Sequence, residues 1–473
     1  MGNHTVEKIG GTSMSRFGEL MKNILIGDRK GDALYNRIFV VSAYGGVTNL
    51  LLEDKKTAAP GIYAAFASGD NRLWQEKFEC TRNRLLELNR SFVDLGLDLS
   101  KADAFVNERM EGVKNCLLHL VQLRSFGHFR REDYLPPTRE LLSSVGEAHS
   151  AFNSTLILRA HGVNAVFVDL SGWKDQETGS IEETILHHLN GLDFSKCMPI
   201  VTGYAKCAEG VMATFDRGYS EITFSKLAVA TKAREGIIHK EFHLSTGDPK
   251  LIGEKHVRPI GHTNFDIADQ LADMAMEAIH PKASKEMELH HIPIRVDNAF
   301  DPGNPGTLIN SDYVSPVPKV DMICGRRDIV AIEVFDPEMV GTSGYDYQVL
   351  KCFADNKLSY IAKNTNANTI THYVSERSGG VKQCLEDLKA SFPNARVTIS
   401  EVAIIAVIGS NMKIPGFLSR AATALAGAGI NVLALDQCMR QVNMQFMIER
   451  DKFDLAQIAL HHEFVEKEAS HKE

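Results

Sequence analysis

The sequence has no long hydrophobic run, no closely paired cysteines and no excess of positive charge. Its eight cysteines are widely spaced and never form a C-x-x-C pair, which predicts reduced, mostly buried thiols in a cytoplasmic protein. Lysine and arginine number 52 against 60 acidic residues, so the formal net charge of −8 argues against a nucleic-acid partner. No apolar stretch is long enough to span a bilayer and no secretory signal is recognised, so no membrane partner is expected.

Histidine is abundant, but its pattern does not predict a metal site. Several of the 18 histidines stand in adjacent pairs, namely His187-His188, His290-His291 and His461-His462. Adjacent side chains diverge by about 100° on a helix and point to opposite faces of a strand. We therefore expect surface histidines and no metal held by protein side chains alone.

The first 310 residues predict one α/β domain. A chain of 473 residues exceeds a single compact core, so two or three domains are expected. Apolar strands alternate with helical stretches, which is typical of a doubly wound sandwich with a mostly parallel central sheet. The stretch 74–158 predicts a helical excursion, and 266–280 predicts a single amphipathic helix. Predicted strands lie within Arg37–Gly46, Asn164–Gly172, Cys197–Tyr204, Arg234–Glu241 and His290–Phe300.

An internal repeat follows the proline- and glycine-rich loop at 301–309. Gly344-Tyr345 corresponds to Gly416-Phe417, and Ala362 corresponds to Ala434, at the same offset along the chain. Each copy predicts a strand, a loop with a glycine-aromatic pair, an amphipathic helix and two more strands. Since a unit of this size buries little surface alone, the copies are expected to pack together or across a dimer. We place them at residues 325–398 and 399–466, with strands that interleave.

A glycine-rich turn near the N-terminus is a candidate anion site. Lys8 precedes Gly10-Gly11-Thr12-Ser13 at the end of a predicted strand. Backbone N–H groups in such a turn converge on an anion, and a nearby lysine adds a mobile charge. Taken alone, the motif is weak evidence, because it is more often a plain strand-to-helix turn.

The order of the motifs carries more information than any one of them. Lys-x-Gly-Gly-Thr-Ser is followed by "SAYGGVTN", "SSVGEAHS", "TFDRGYSE", "STGDPK", "IHPKA" and "IPIRVDNAFDPGNPGTLI". This series resembles the aspartate kinases over the whole chain, and the C-terminal repeat resembles the paired ACT domains of that family. The resemblance implies an amino-acid kinase three-layer αβα sandwich plus two ACT-like βαββαβ modules. It also implies ATP-dependent phosphorylation of the L-aspartate side-chain carboxylate to 4-phospho-L-aspartate.

The resemblance also implies a role for each matching residue. Lys8 would neutralise the β- and γ-phosphates of ATP, Gly10 and Gly11 would donate N–H groups, and Mg²⁺ would bridge phosphate oxygens. Arg217 would bind an aspartate carboxylate, and Glu147 would receive the substrate ammonium. The other residues implied to surround the substrate are Ser42, Thr48, Ser220 and Glu221.

Several positions depart from the family pattern around the nucleotide. Glu221 replaces an aspartate, and its longer side chain would shift the carboxylate. His239-Lys240 replace a Thr-Asp pair, Glu277 replaces a lysine, and Ser245 replaces an aromatic ahead of Lys250. Lys240 and Glu277 together predict a swapped ion pair that preserves local charge while changing the contacts offered to ATP. This segment resembles an aspartate kinase branch associated with ectoine synthesis.

Two functions are compatible with these residues, an active kinase and a catalytically impaired amino-acid sensor. A catalytically impaired amino-acid sensor would keep the repeats and lose the kinase site, and the altered nucleotide segment favours it. Lys8, Arg217, Glu147 and Ser220 favour the kinase. For the first repeat, Gly344-Tyr345 predicts either an amino-acid effector site or a structural turn. For the second, Gly416-Phe417 predicts dimer packing, and paired repeats imply a homodimer or a larger homo-oligomer.

Overall fold

The computed structural model describes residues 2–175, 179–208, 210–215, 218–276 and 278–467. The chain divides into two compact units. The first unit comprises Met1–His243 and Ile279–Ser311, and the second comprises Leu244–Ala278 and Asp312–Glu473.

Strands occur in both units and are numbered in chain order. They are β1 Thr5–Ile9, β2 Arg37–Val41, β3 Ala165–Val168, β4 Met198–Thr202, β5 Glu235–Lys240, β6 His262–Asn264, β7 Ile294–Asn298, β8 Thr307–Asn310, β9 Lys319–Phe335, β10 Tyr360–Thr365, β11 Thr369–Ser375, β12 Arg396–Ser410, β13 Val432–Asp436 and β14 Asn443–Glu449.

The α-helices are numbered in the same way. They are α1 Gly11–Met14, α2 Phe17–Leu20, α3 Val47–Leu51, α4 Ile62–Ser68, α5 Asn71–Ser91, α6 Leu99–Arg124, α7 Arg131–Ala160, α8 Ile181–Leu189, α9 Val211–Phe215, α10 Tyr219–Ala230, α11 Pro249–Ile252, α12 Phe265–Asp273, α13 Pro281–Leu289, α14 Tyr345–Asp355, α15 Val381–Ser391, α16 Phe417–Gly427 and α17 Phe453–His461.

The sheet of the first unit is mostly parallel, as the sequence predicts. Its strands run in the order β3-β4-β2-β1-β5-β7-β8, and every pair from β3 to β7 is parallel, whereas β8 is antiparallel to β7. Strands β2 and β4 are buried along their whole length, which explains their continuous apolar sequence. Helix α7 packs on β3 and β4, and α10 packs on β1, β2 and β5. The predicted helical excursion is confirmed as α5, α6 and α7.

The second unit contains an antiparallel sheet in which the two sequence repeats share strands. The strand order is β10-β11-β9-β12-β14-β13, and the long strands β9 and β12 pair with each other near its centre. Helices α14 and α15 cover the part of the sheet formed by the first repeat, and α16 and α17 cover the part formed by the second. Strands of both repeats therefore lie in one sheet, and β9 contributes buried residues to both hydrophobic cores.

The glycine-aromatic pairs of the repeats perform the same structural task twice. Gly344 and Gly416 precede α14 and α16 with φ angles of 79° and 93°, a backbone region that favours glycine. Tyr345 and Phe417 are buried behind them, and the Tyr345 hydroxyl donates to Asp336 Oδ2 at 2.7 Å. These contacts support the structural role that the sequence left open for Gly344-Tyr345, whereas the dimer packing predicted for Gly416-Phe417 stays a prediction.

Two boundaries differ from the sequence-based description. The predicted helix 266–280 is wrong at its end, because α12 stops at Asp273 and Ala275 has a φ of 61°, which a helix cannot accommodate. A separate helix, α13, begins after His280, whose side chain accepts a hydrogen bond from Lys282 N. The compact second unit also includes 244–278, which the sequence assigned to the first domain, and the domain limits at 310, 325 and 399 stay predictions.

The composition-based expectations concern cysteines and membrane spans. All eight cysteines carry free thiols, and five of them are buried: Cys197, Cys207, Cys324, Cys352 and Cys384. Among the described residues, every helix is too short or too polar to cross a membrane.

Candidate active site

The candidate site lies in the first unit, at the carboxyl ends of β1, β2, β4 and β5. Lys8 is near the end of β1, and Ser42 follows β2 directly. Gly203 follows β4, and Glu241 follows β5. In parallel sheets these strand ends converge on one edge, where ligands commonly bind. The fold therefore gathers residues from four distant parts of the chain.

The glycine turn, Gly10–Ser13, connects β1 to α1. A Cβ atom on Gly11 would lie 2.5 Å from the carbonyl oxygen of Ala43, so only glycine lets the two loops approach this closely. A Cβ atom on Gly10 would lie 4.0 Å from both Lys8 Nζ and Glu241 Oε1. The lysine and the glutamate thus approach the same glycine. The sequence-based anion site is a turn bordered by one cation and one anion.

Lys8 pairs with Glu221 at this edge of the sheet. Lys8 Nζ lies 3.4 Å from Glu221 Oε1, and both side chains are largely buried. Glu221 Oε2 also accepts a hydrogen bond from the backbone N–H of His280. Burial alone would raise the pKa of Glu221, but the charges of Lys8 and Lys240 lower it below its usual value. Glu221 therefore stays ionised beside Lys8.

The Glu147 pocket consists of Glu147, Ser42, Gly203 and Ser220. Ser220 donates its hydroxyl to Glu147 Oε1 at 2.7 Å, and Ser42 donates to Ser220 Oγ at 3.3 Å. A Cβ atom on Gly203 would lie 2.7 Å from Glu147 Oε2, so glycine leaves room for the carboxylate. Burial raises the pKa of Glu147 to about 8, and the Ser220 hydrogen bond and the Lys8 charge offset only part of this effect.

His239 belongs to a buried charge network that crosses the sheet, formed by Arg37, Glu7, His239 and Asp297. Arg37 binds both Glu7 oxygens at 2.7 and 2.8 Å, and His239 Nε2 contacts Glu7 Oε2 at 2.9 Å. His239 Nδ1 contacts Asp297 Oδ1 at 2.7 Å. Burial would lower the pKa of His239, but Asp297 and Glu7 raise it to about 9. Both ring nitrogens are therefore engaged inside the protein, and the predicted nucleotide contact of His239 stays a prediction.

The remaining predicted site residues fall into three groups. Thr48 lies in the first turn of α3 in the first unit, and Lys240 ends β5 there. Ser245 and Lys250 belong to the second unit, where Ser245 Oγ donates to the Gly247 carbonyl oxygen at 3.0 Å and Lys250 is the second residue of α11. Arg217 and Glu277 lie outside the described residues, so their predicted roles stay predictions.

Sequence analysis missed two residues that border the site, Glu241 and Gly203. Glu241 Oε1 accepts the Ser13 hydroxyl at 2.9 Å, although 228 positions separate the two residues. Gly203 was included in a predicted strand end without a role. The signal for both was position, because each follows a buried parallel strand, where ligands bind in such sheets.

Comparison with known proteins identifies the family. The amino acid kinase family profile matches residues 3–298, and an ACT domain profile matches residues 405–464. The chain is 48% identical over 466 residues to aspartate kinase Ask_Ect of Stutzerimonas stutzeri, covering 98% of each protein. It is 24% identical over 479 residues to chloroplastic aspartokinase 1 of Arabidopsis thaliana, covering 98% of this chain and 80% of that protein.

Solved structures share the fold. Aspartokinase III of E. coli in complex with aspartate and ADP matches with a TM-score of 0.71 and 19% identity, over 98% of this chain and 99% of that one. The aspartate kinase of Clostridium acetobutylicum matches with a TM-score of 0.68 and 17% identity, over 97% and 99% of the two chains. The chain therefore belongs to the amino acid kinase family and, within it, to the aspartate kinases.

Proposed function

We propose that the site at the carboxyl ends of β1, β2, β4 and β5 transfers the γ-phosphoryl group of ATP to the side-chain carboxylate of L-aspartate. The observation that carries the proposal is that Lys8 interacts with two acids, of which Glu221 is ionised and Glu147 is protonated. Lys8 pairs with the ionised Glu221, and its charge also acts on the protonated Glu147. Lys8, which suits a phosphate, thus acts on Glu147, a carboxyl group whose side-chain hydrogen-bond partner is a serine and not a cation.

The residues divide into a phosphate side and an amino-acid side. Lys8 and the N–H groups of Gly10 and Gly11 stabilise charge on the transferring phosphoryl group, which is the main demand of this chemistry. Glu147 receives the substrate ammonium, while Ser42 and Ser220 orient the Glu147 carboxylate, and Thr48 binds the substrate by the family match. Arg217 binds a substrate carboxylate by the family match, since a guanidinium suits bidentate pairing.

The acids of the site fit a magnesium ion brought by the nucleotide. Within the described ranges, no three histidine, cysteine or acidic side chains gather as a metal site. Mg²⁺ commonly takes one or two protein carboxylates together with substrate phosphates, and Glu221 and Glu241 are the carboxylates beside the glycine turn. When bound, the ion would supply charge neutralisation at the phosphates.

The test is aspartyl hydroxamate formation from aspartate, ATP and hydroxylamine. We expect Lys8→Met to lower kcat by on the order of 100-fold or more, because one charged stabiliser of the transferring group is lost. Lys22→Met, which removes an exposed lysine of the same unit, should leave the rate unchanged. No hydroxamate from the unmodified chain would favour the sensor alternative, and an active Lys8→Met variant would contradict the role of Lys8.

We propose that Lys240 and Glu277 form a charge-swapped pair at the nucleotide. The support is sequence-based, together with the influence of the Lys240 charge on Glu221. The Michaelis constant for ATP should rise in Lys240→Glu and in Glu277→Lys, and the double variant should recover. Without recovery, the two substitutions are independent.

We further propose a cytoplasmic homo-oligomer of the ectoine branch whose second unit binds an amino-acid effector. The support is the paired repeats and the resemblance of the nucleotide segment. Aspartokinase III of E. coli has been solved with lysine and aspartate, so lysine is a first candidate effector. Light scattering measures the oligomer, and the hydroxamate assay with added lysine, threonine or ectoine tests regulation.

A further inference from the structure

Glu241 places a carboxylate at the turn proposed to hold phosphate. It follows β5 directly, so the parallel sheet delivers it to the edge where β1 ends. Its Oε1 atom accepts the Ser13 hydroxyl at 2.9 Å and approaches Gly10 as closely as Lys8 Nζ does. The Glu241 carboxylate therefore lies beside the glycine turn, although the glycines and Lys8 of that turn suit a phosphate, which is also an anion.

The two acids near the turn are held differently. Glu221 has an ion pair with Lys8 and a backbone hydrogen bond from His280, which keep its carboxylate in place. Glu241 accepts a hydrogen bond from a neutral hydroxyl, a weaker contact than a charge-assisted one. The positive charge that acts on Glu241 is that of Arg16, an exposed residue that is itself paired with Glu19. Glu241 is thus the acid whose charge is less compensated at the turn. A bare polyphosphate entering there would meet its repulsion at short range.

We propose that Glu241 makes nucleotide binding at the glycine turn depend on a divalent cation. Its carboxylate disfavours bare ATP or ADP and contributes an oxygen ligand to the cation of the magnesium complex. The Ser13 hydroxyl, 2.9 Å away, supplies a second oxygen at the same place. This arrangement matches the preference of Mg²⁺ for one or two carboxylates combined with phosphate oxygens. The inference rests on the proposed function, because it requires nucleotide to bind at this turn.

The experiment is calorimetric titration of the full chain with ADP, once in EDTA and once with excess Mg²⁺. The measured quantity is the dissociation constant of ADP in EDTA divided by its dissociation constant with Mg²⁺. We expect Glu241→Gln to reduce this ratio on the order of 10-fold, mainly through tighter binding in EDTA, because a short-range repulsion is removed. Glutamine keeps an oxygen that accepts the Ser13 hydroxyl, so the turn itself should persist.

Two variants control for net charge and for folding. Glu76→Gln removes an acid that pairs with Arg72 on the surface, and its ratio should equal that of the unmodified chain. Glu241→Asp keeps the charge and should keep most of the Mg²⁺ dependence, with circular dichroism confirming the fold of each variant. If Glu241→Gln binds ADP with an unchanged ratio, the inference is overturned while the proposed function stands. If the unmodified chain binds ADP in neither medium, both are overturned.

Discussion

Glu7 and Glu147 are both 2% exposed, in the same unit, yet their surroundings are opposite. Glu7 lies between Arg37 and His239, which hold its pKa far below the usual range although burial alone would raise it. Glu147 has a serine hydroxyl as its hydrogen-bond partner, and burial raises its pKa to about 8. One acid is paired with two cations, and the other is left close to neutral.

The difference separates an acid with paired charge from one without a cationic hydrogen-bond partner, which is the property expected of the acid proposed to bind the substrate ammonium. A buried charge persists when it is paired and hydrogen-bonded, as in the charge network. A buried carboxyl group without a cation gains a strong partner only when something positive binds beside it. The free amino group of an amino acid is such a partner. The charge network therefore stabilises the sheet, whereas the Glu147 pocket has unused binding capacity.

The largest expected effect comes from breaking the charge network. Arg37→Met should lower the free energy of unfolding by about 3 to 5 kcal/mol, because Glu7 loses its bidentate partner in a buried position. Chemical denaturation followed by circular dichroism measures it. Arg72→Met, which breaks the exposed Arg72–Glu76 pair, should cost roughly 0.5 kcal/mol or less. Equal losses in the two variants would show that burial of the network has no energetic consequence.

The second expected effect is kinetic and concerns the Glu147 pocket. Glu147→Gln should lower kcat/KM for aspartate roughly 100-fold, because an amide cannot pair with the substrate ammonium as a carboxylate does. Its free energy of unfolding at pH 7 should stay within about 1 kcal/mol of the unmodified chain, since glutamine resembles the protonated acid. Glu7→Gln is the matched control and should show the reverse, a loss of stability. If Glu147→Gln leaves kcat/KM for aspartate unchanged, Glu147 does not bind the substrate ammonium and, like Glu7, has no role in substrate binding.

The third effect is the pH dependence that His239 gives the charge network. The folded-state pKa of about 9 exceeds the ordinary 6.5, so protonated His239 stabilises the fold fully below pH 6.5. That contribution, on the order of 3 kcal/mol, should disappear as pH rises to 9 and beyond. The difference in unfolding free energy between the unmodified chain and His239→Gln should therefore narrow from pH 6.5 to 9. A constant difference over this range would mean that His239 is not ionised in the fold.

The order of predicted strands and helices along the chain was sufficient to predict the fold and the edge of the sheet at which the site lies. Apolar strands alternating with helices specify a parallel sheet, and the carboxyl ends of such strands share one edge. Lys8 and Ser42 could thus be grouped without coordinates, whereas Glu147 and Ser220 were assigned to the site through the resemblance to the aspartate kinases. The repeat likewise predicted shared packing, because neither copy can bury enough surface alone. The end of α12 was missed, since no local signal marks the positive φ of Ala275.

The contacts that define the chemistry of the site could not be predicted. Glu7 meets His239 across 232 positions, and Ser13 meets Glu241 across 228. Such pairs depend on the register of β1 against β5, which tertiary packing sets. His239 is an instructive case, because its position near the carboxyl end of β5 resembles that of a ligand contact while its side chain contacts buried acids. The Glu147 pKa is similarly a property of burial rather than of neighbours in sequence.

The smallest expected effect is proton release from Glu147 when aspartate binds. Release of one proton changes the free energy of aspartate binding by about 1.4 kcal/mol per pH unit. At pH 7 the free protein holds this group mostly protonated, because its pKa is about 8. Binding the ammonium of aspartate requires the carboxylate, so close to one proton should leave each site. Calorimetry in phosphate and in Tris, whose ionisation enthalpies differ, measures that number. It should fall toward zero above pH 8 and be absent in Glu147→Gln, whereas equal release from that variant would place the proton on another group.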